Sequence, residues 1–382
     1  MKGSPDVVVV GGGIVGATCA YYLTLAGARV CLVERDYPAS GTSRACDGLI
    51  LLWDKGNPAE LALGQESARM WAELAQEQGI DCEYSRHGTV LLAENDAALE
   101  AGCRKAADLS GAGVRAEILE GRRLQALEPH LAPDLAGGVY FPDDAQVDPR
   151  RATVSLLDGS RRLGLTLRCG SPVSAIRLSA QGSVTGVAVG GDEVACGAVV
   201  CAAGVWSNEL AGLVGAEIPV KPRKGHILVT ARAPGIVRHP LLEGSYVATV
   251  QSAGSDAPQV ALVAEPTAGG TLLLGSSREF AGFDRSISQA IVQAIAARAA
   301  RFLPGLRNVS IIRSYAGLRP WSPDHLPFVG PVESVPGFYL ATGHEGAGIG
   351  LAPVTGQLIA KWLTGQALPP LAHQLLPGRL QH

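Results

Sequence analysis

Four consecutive valines, Val7–Val10, make the first uninterrupted apolar run of the chain, and a glycine cluster closes it. A short apolar run ending at glycines predicts a strand buried on both faces, as in a parallel sheet. Next, "ATCAYYLTLAG" predicts a helix ended by Gly27, and "RVCLVE" a second strand. Apolar positions recur at helical spacing over 58–79, through Leu61, Leu63, Met70, Trp71 and Leu74. "GTVLLAE" (88–94) predicts a strand, and 95–129 helix and turns. "GGVYFPDDAQVDPRRA" (137–152) predicts a hairpin and then a crossing back to the first part of the chain. A helix is expected over 154–163 and a β-meander over 174–204, whose last strand "AVVCAAG" enters the helix "VWSNELAGLVG". Residues 221–280 alternate like antiparallel strands, and 286–303 read as a helix. Near the C-terminus, "GFYL", the glycine-rich "ATGHEGAGIG" (341–350) and "LAPVTGQLIAKWL" repeat the order strand, glycine turn, helix.

Composition narrows the class. Among 382 residues, 32 are basic and 35 acidic, and no basic stripe points to nucleic acid or anionic lipid. With 48 glycines, above the usual ~7%, and 47% hydrophobic residues, the chain reads as a turn-rich α/β enzyme. No apolar stretch beyond the N-terminal one approaches the ~20 residues a membrane span needs, so the protein is expected to be cytoplasmic and at most peripheral to the inner membrane. Eight cysteines are scattered singly, without CxxC pairs or metal-ligand spacing. They read as reduced thiols, and no metal site is expected. Only Cys46 is expected near chemistry.

The N-terminal segment has the form of a βαβ unit. Gly11-Gly12-Gly13-Ile14-Val15-Gly16 fits GxGxxG. In that motif Gly11 permits the tight turn, Gly13 lets the backbone approach a pyrophosphate, and Gly16 lets helix and strand pack closely. Glu34 ends the second strand, where a carboxylate accepts hydrogen bonds from ribose hydroxyls. Thr42, Ser43 and Arg44 in "ASGTSRACDGLI" can donate to a pyrophosphate from the opposite side, which suits a long dinucleotide bound extended.

GGGIVG with Glu34, GTSRACDG, CAAGVWS, and AGLRPWSPDHLPFVGP followed by ATGHEGAGI occur in that order. Together they resemble the D-amino acid oxidase superfamily of FAD enzymes along essentially the whole chain. "KPRKGHILVT" and "AGLRPWSPDHLPFVGP" look closest to glycine oxidase, the hydrogen cyanide synthase flavoprotein, and the flavin subunits of opine, proline and D-hydroxyproline dehydrogenases. The resemblance implies a Rossmann-like FAD-binding domain over 1–85, 145–220 and 315–382. A substrate domain on a mainly antiparallel sheet is interleaved over 86–144 and 221–314. Non-covalent FAD would meet Gly11, Gly13, Ile14, Val15, Gly16, Glu34, Arg35, Thr42, Ser43, Arg44, Cys46, Gly48, Leu49 and Val173. It would also meet Ala203, Gly204, Trp206, Gly343, His344, Glu345, Gly346, Gly348 and Ile349. In such proteins the C-terminal turn wraps the pyrimidine end of the flavin.

The implied activity is hydride transfer from an amine-bearing carbon to flavin N5. Arg319 matches the arginine that binds the substrate carboxylate, a task its fork suits. Tyr246 stands where a carboxylate-binding or site-covering tyrosine is found, or is a core aromatic. His226 either faces the flavin ring or ends a strand. Glycine oxidase-like relatives carry a second arginine in the C-terminal turn where this chain has Gly346. That departure points away from glycine and towards a secondary amine such as D-hydroxyproline, proline or an opine. A dehydrogenase subunit partnered by a flavoprotein or iron–sulfur subunit, or a homo-oligomer, is expected. The alternatives are a free-standing oxidase that uses oxygen and a non-catalytic electron-transfer flavoprotein.

Overall fold

The computed structural model describes residues 4–246 and 258–380. Its first strand, Val7–Val10, lies inside a six-stranded sheet and is buried throughout. Strand geometry sends alternate side chains to opposite faces. Val7 and Val9 accordingly join the core under the helix Ile14–Leu25, while Val8 and Val10 join the core on the other face. In this sheet the strands run Phe328–Pro331, Phe338–Thr342, Ala198–Cys201, Val7–Val10, Val30–Val33 and Thr166–Arg168. All neighbours are parallel except the first pair. The α/β expectation holds.

A second sheet has eight strands: Ile311–Trp321, Lys221–Thr230, Leu272–Arg278, Gln259–Pro266, Leu241–Glu243, Thr89–Ala93, Gly137–Phe141 and Glu117–Leu119. It is antiparallel apart from the pairing of Leu241–Glu243 with Thr89–Ala93, as expected for the mainly antiparallel part. Its long edge strand, Ile311–Trp321, contains position 315, so the domain boundary expected there falls inside a strand. The helix Gln289–Phe302 covers one face with Ile291, Ile295, Ala299 and Phe302.

Three local readings are corrected. The predicted hairpin over 137–152 does not form. Gly137–Phe141 pairs with Thr89–Ala93 and Glu117–Leu119, while Ala145–Gln146 pairs with Leu49–Ile50. Both halves find longer-range partners, and the stretch is a crossing. The meander comprises only Val173–Leu178, Val184–Val189 and Asp192–Ala195. Ala198–Cys201, apolar on both faces, is drawn into the parallel sheet instead. The helix expected over 154–163 starts earlier, at Pro149, because Asp148 accepts from the Arg150 and Arg151 N–H groups and proline suits the first turn.

Candidate active site

Two helices begin at the carboxyl edge of the six-stranded sheet. The first, Ile14–Leu25, starts at Gly13, and the last, Gly348–Thr364, starts at Ala347; neither start has a side-chain cap. The partial positive charge of both helix starts is therefore directed at the carboxyl edge of the sheet. They lie side by side because Gly356 has no side chain, and a Cβ there would sit 2.5 Å from the Thr18 carbonyl carbon. Residues at both helix starts line one cavity of about 630 Å³, together with the strand ends Val10, Val33, Ala202 and Thr342. The carboxyl ends of parallel strands are where open α/β sheets bind ligands.

The glycine turn behaves as its spacing requires. Gly11 has φ +114°, and a Cβ on it would lie 2.4 Å from the Ala202 carbonyl oxygen. A Cβ on Gly16 would lie 1.9 Å from the Gly11 oxygen, so Gly16 serves helix–strand packing and does not line the cavity. Gly13, Ile14 and Val15 do line it. Glu34 also faces it and accepts from the Gly12 N–H at 2.7 Å and the Asp36 N–H at 2.9 Å, which ties the second strand to the turn. Opposite, Ser43 Oγ accepts from the Ile14 N–H at 3.0 Å, and Thr42 Oγ1 donates to the Leu318 carbonyl at 2.6 Å. Arg44 donates to the Tyr37 hydroxyl, and Arg35 lies 4.0 Å over the Trp206 ring. Cys46, Val173, Ala203 and Gly204 complete this wall. Gly48 and Leu49 do not reach it: Gly48 is wedged against the Val147 carbonyl, and Leu49 pairs with Gln146.

The C-terminal turn contributes His344, Glu345, Gly346, Gly348 and Ile349 to the lining. Gly343 lies behind it with φ +80°, against the Phe328 ring. Burial holds the His344 imidazole neutral, its pKa depressed to about 3. Thr355 Oγ1 donates to the Leu351 carbonyl, so it accepts from His344 Nε2–H at 2.9 Å, which leaves Nδ1 unprotonated. Glu345 adopts φ +47° and places its carboxylate between Arg223 Nη1 at 2.6 Å and His325 Nδ1 at 2.9 Å. Burial alone would raise its pKa. The His325 hydrogen bond and the Arg223 charge outweigh that, and the carboxylate is held below its ordinary range. A Cβ on Gly346 would meet nothing within 4 Å.

Arg319 and Tyr246 line the same cavity. Arg319 Nη1 donates to the Ser277 carbonyl at 2.9 Å and passes across Gly225, where any Cβ would lie 2.1 Å from it. Tyr246 is buried, with the Arg278 guanidinium 4.6 Å over its ring. His226 is not part of the site. Gly225 and Ile227 face the cavity, and strand alternation turns His226 the other way. There Nδ1–H meets Ser277 Oγ at 2.9 Å and Nε2 accepts from the Ser288 N–H at 3.2 Å. Sequence reasoning passed over Gly225, Arg285 and Asp47, which line the cavity, and Arg223, which holds Glu345. Asp47 had a signal, an acid inside the GTSRACDG stretch, and Arg223 and Gly225 lie inside KPRKGHILVT; Arg285 had none.

The cavity fits a bound dinucleotide: two uncapped helix starts face it, Gly11 and Gly13 bare the backbone, and its volume lies in the range of cofactor sites. The protein-family profile described as DAO, FAD dependent oxidoreductase, matches residues 6–362. Glycine oxidase of Pseudomonas aeruginosa is 32% identical, over 95% of this chain and 96% of its own length. Hydrogen cyanide synthase subunit HcnC of the same organism is 28% identical, over 100% of this chain and 97% of its own. Among solved structures, glycine oxidase from Geobacillus kaustophilus superposes with TM-score 0.88 at 27% identity, over 98% of each chain. L-proline dehydrogenase from P. horikoshii shares the fold, with TM-score 0.89 at 22% identity over 100% of this chain and 99% of its own. The chain thus belongs to the DAO family of FAD-dependent oxidoreductases.

Proposed function

We propose that this enzyme oxidises an amino or imino acid, that Arg319 binds the substrate carboxylate, and that a secondary amine such as D-hydroxyproline, proline or an opine is the preferred substrate. Bound FAD supplies the acceptor for the two electrons of a C–H bond. The protein's task is to orient that bond, exclude water and fix the carboxylate. The observation that carries the reading is a guanidinium in the same cavity as a glycine, Gly346, with open space around it. Free volume at Gly346, in the cavity that Arg319 lines, favours a substrate bulkier than glycine. Tyr246 is assigned the covering role, and His226 none.

FAD is held without a covalent bond, since no cysteine lies in the C-terminal turn. The part of the chain built on the six-stranded sheet carries FAD, and the eight-stranded sheet carries the substrate side. One relative is a subunit of a synthase, which supports a complex with a second flavoprotein or an iron–sulfur subunit. Among the described residues no helix is long and apolar enough to cross a membrane, which is compatible with a cytoplasmic enzyme. The similarity to glycine oxidases supports a second reading, a free-standing oxidase that releases peroxide.

Anaerobic flavin bleaching across D-hydroxyproline, D- and L-proline, octopine, sarcosine, glycine and D-alanine separates these readings. Fast reduction by a cyclic or N-substituted amino acid is expected; fast reduction by glycine alone overturns the argument from Gly346. Peroxide release measured beside dye reduction separates oxidase from dehydrogenase.

A further inference from the structure

We infer that Asp47 receives the amine end of the substrate, while Glu265 positions it from behind Gly48. This rests on the reading of Arg319 as the carboxylate clamp. Asp47 lines the same cavity as Arg319, Tyr246 and Cys46. Its backbone is immobilised on both sides. Before it, Cys46 Sγ lies 3.6 Å from the Ser43 carbonyl oxygen. After it, the Gly48 N–H donates to both oxygens of Glu265, at 3.1 and 3.3 Å, and a Cβ on Gly48 would sit 1.8 Å from the Val147 oxygen. Leu49 then enters its strand with Gln146, whose amide donates to the Pro266 carbonyl next to Glu265 at 3.0 Å. Glu265 is itself buried.

The electrostatics agree with this placement. Among the described residues no cation lies within ion-pair distance of the Asp47 carboxylate, although Arg319 and Arg278 are near enough to act on it. Burial raises the Asp47 pKa against the pull of Arg319, the Leu49 N–H, Arg278 and its own N–H. Burial, and after it the charge of Asp47, pushes Glu265 well above the ordinary carboxylate range. A carboxyl kept in a cavity without a cation of its own is costly. A zwitterionic ligand relieves that cost by placing its ammonium on Asp47 and its carboxylate on Arg319. The pair would then select amino acids over acids that lack the amine.

The test uses FAD-loaded protein reduced with dithionite, in which no hydride can leave, and measures binding by calorimetry. Two probe pairs are compared: L-proline against tetrahydrofuran-2-carboxylate, and glycine against acetate. The wild type should favour the amine-bearing member of a pair. Asp47→Asn should weaken that member by about tenfold or more and leave the amine-free acid within about twofold. Glu265→Gln should produce a smaller loss with the same selectivity, which a merely structural role would not. Equal loss of both members, loss of neither, or loss of FAD in place of amine affinity overturns the proposal. Arg319→Ala should weaken both members alike; if it weakens neither, the carboxylate-clamp reading fails, while the Asp47 comparison still stands on its own. Failure of L-proline and tetrahydrofuran-2-carboxylate alike to bind the wild type overturns both.

Discussion

Arg319 occupies its position only because residue 225 is glycine, and its guanidinium is held on the far side by the Ser277 carbonyl. Among the described residues Arg319 makes one hydrogen bond to protein, and the rest of its fork suits the carboxylate proposed above. Arg319→Ala should lower the second-order rate of anaerobic flavin reduction by roughly ten- to 150-fold, since a charged hydrogen bond is worth about 1.5–3 kcal/mol. Arg319→Lys should restore only part, because it lacks the fork. Glu345 invites a pH measurement. His325 is raised above its ordinary 6.5, first by its hydrogen bond to Glu345. A raised folded-state value means that its contribution is fully present below 6.5 and lost as pH climbs through the folded value. Glu345, held below its ordinary 4.5, contributes above that value and loses its contribution as pH falls through the folded one. The deficit in Tm of His325→Gln against wild type should therefore be largest near about pH 6 and shrink at about pH 9. A deficit constant with pH would show that packing, and not the charge pair, holds this turn.

At the scale of elements, the two helices whose starts frame the cavity depend on one close approach. Gly356 meets the backbone of Thr18, and backbone cannot yield as a flexible side chain would. Gly356→Ala should cost about 1–3 kcal/mol by overpacking and should displace one helix start from the cavity. The expected outcome is a lowered Tm together with weaker FAD retention on gel filtration. A variant as stable as wild type that retains all its FAD would separate helix packing from cofactor binding. Elements also mark where local reading failed. The stretch 137–152 carries the turn residues of a hairpin, yet its strands lie in different sheets. Turn chemistry sets a change of direction, but partner choice belongs to whichever edge offers the larger buried area.

For the whole molecule, FAD binds only the folded state, so loading and stability are linked. Stripping FAD should lower Tm by several degrees, and adding it back at about a hundred times its Kd should restore about 2.7 kcal/mol. Gly13→Val should show no such recovery, because its side chain would enter the cavity that Gly13 lines, at the glycine turn. The βαβ unit with Glu34 at the end of its second strand and the C-terminal glycine turn were legible in the sequence, because each is a local motif whose spacing and hydrophobic period lie within a few dozen residues. The sequence by itself determined the two glycine-turn junctions and the buried parallel strands. Only the tertiary structure decided that His226 turns away from the cavity, because the face of a strand depends on its register with Ile311–Trp321. The fold alone brings Arg223 to Glu345 across 122 positions and Glu265 to Gly48 across 217. Such pairs leave no periodic trace: a buried charge is recognisable only once the fold has removed water from around it and set its partner in place.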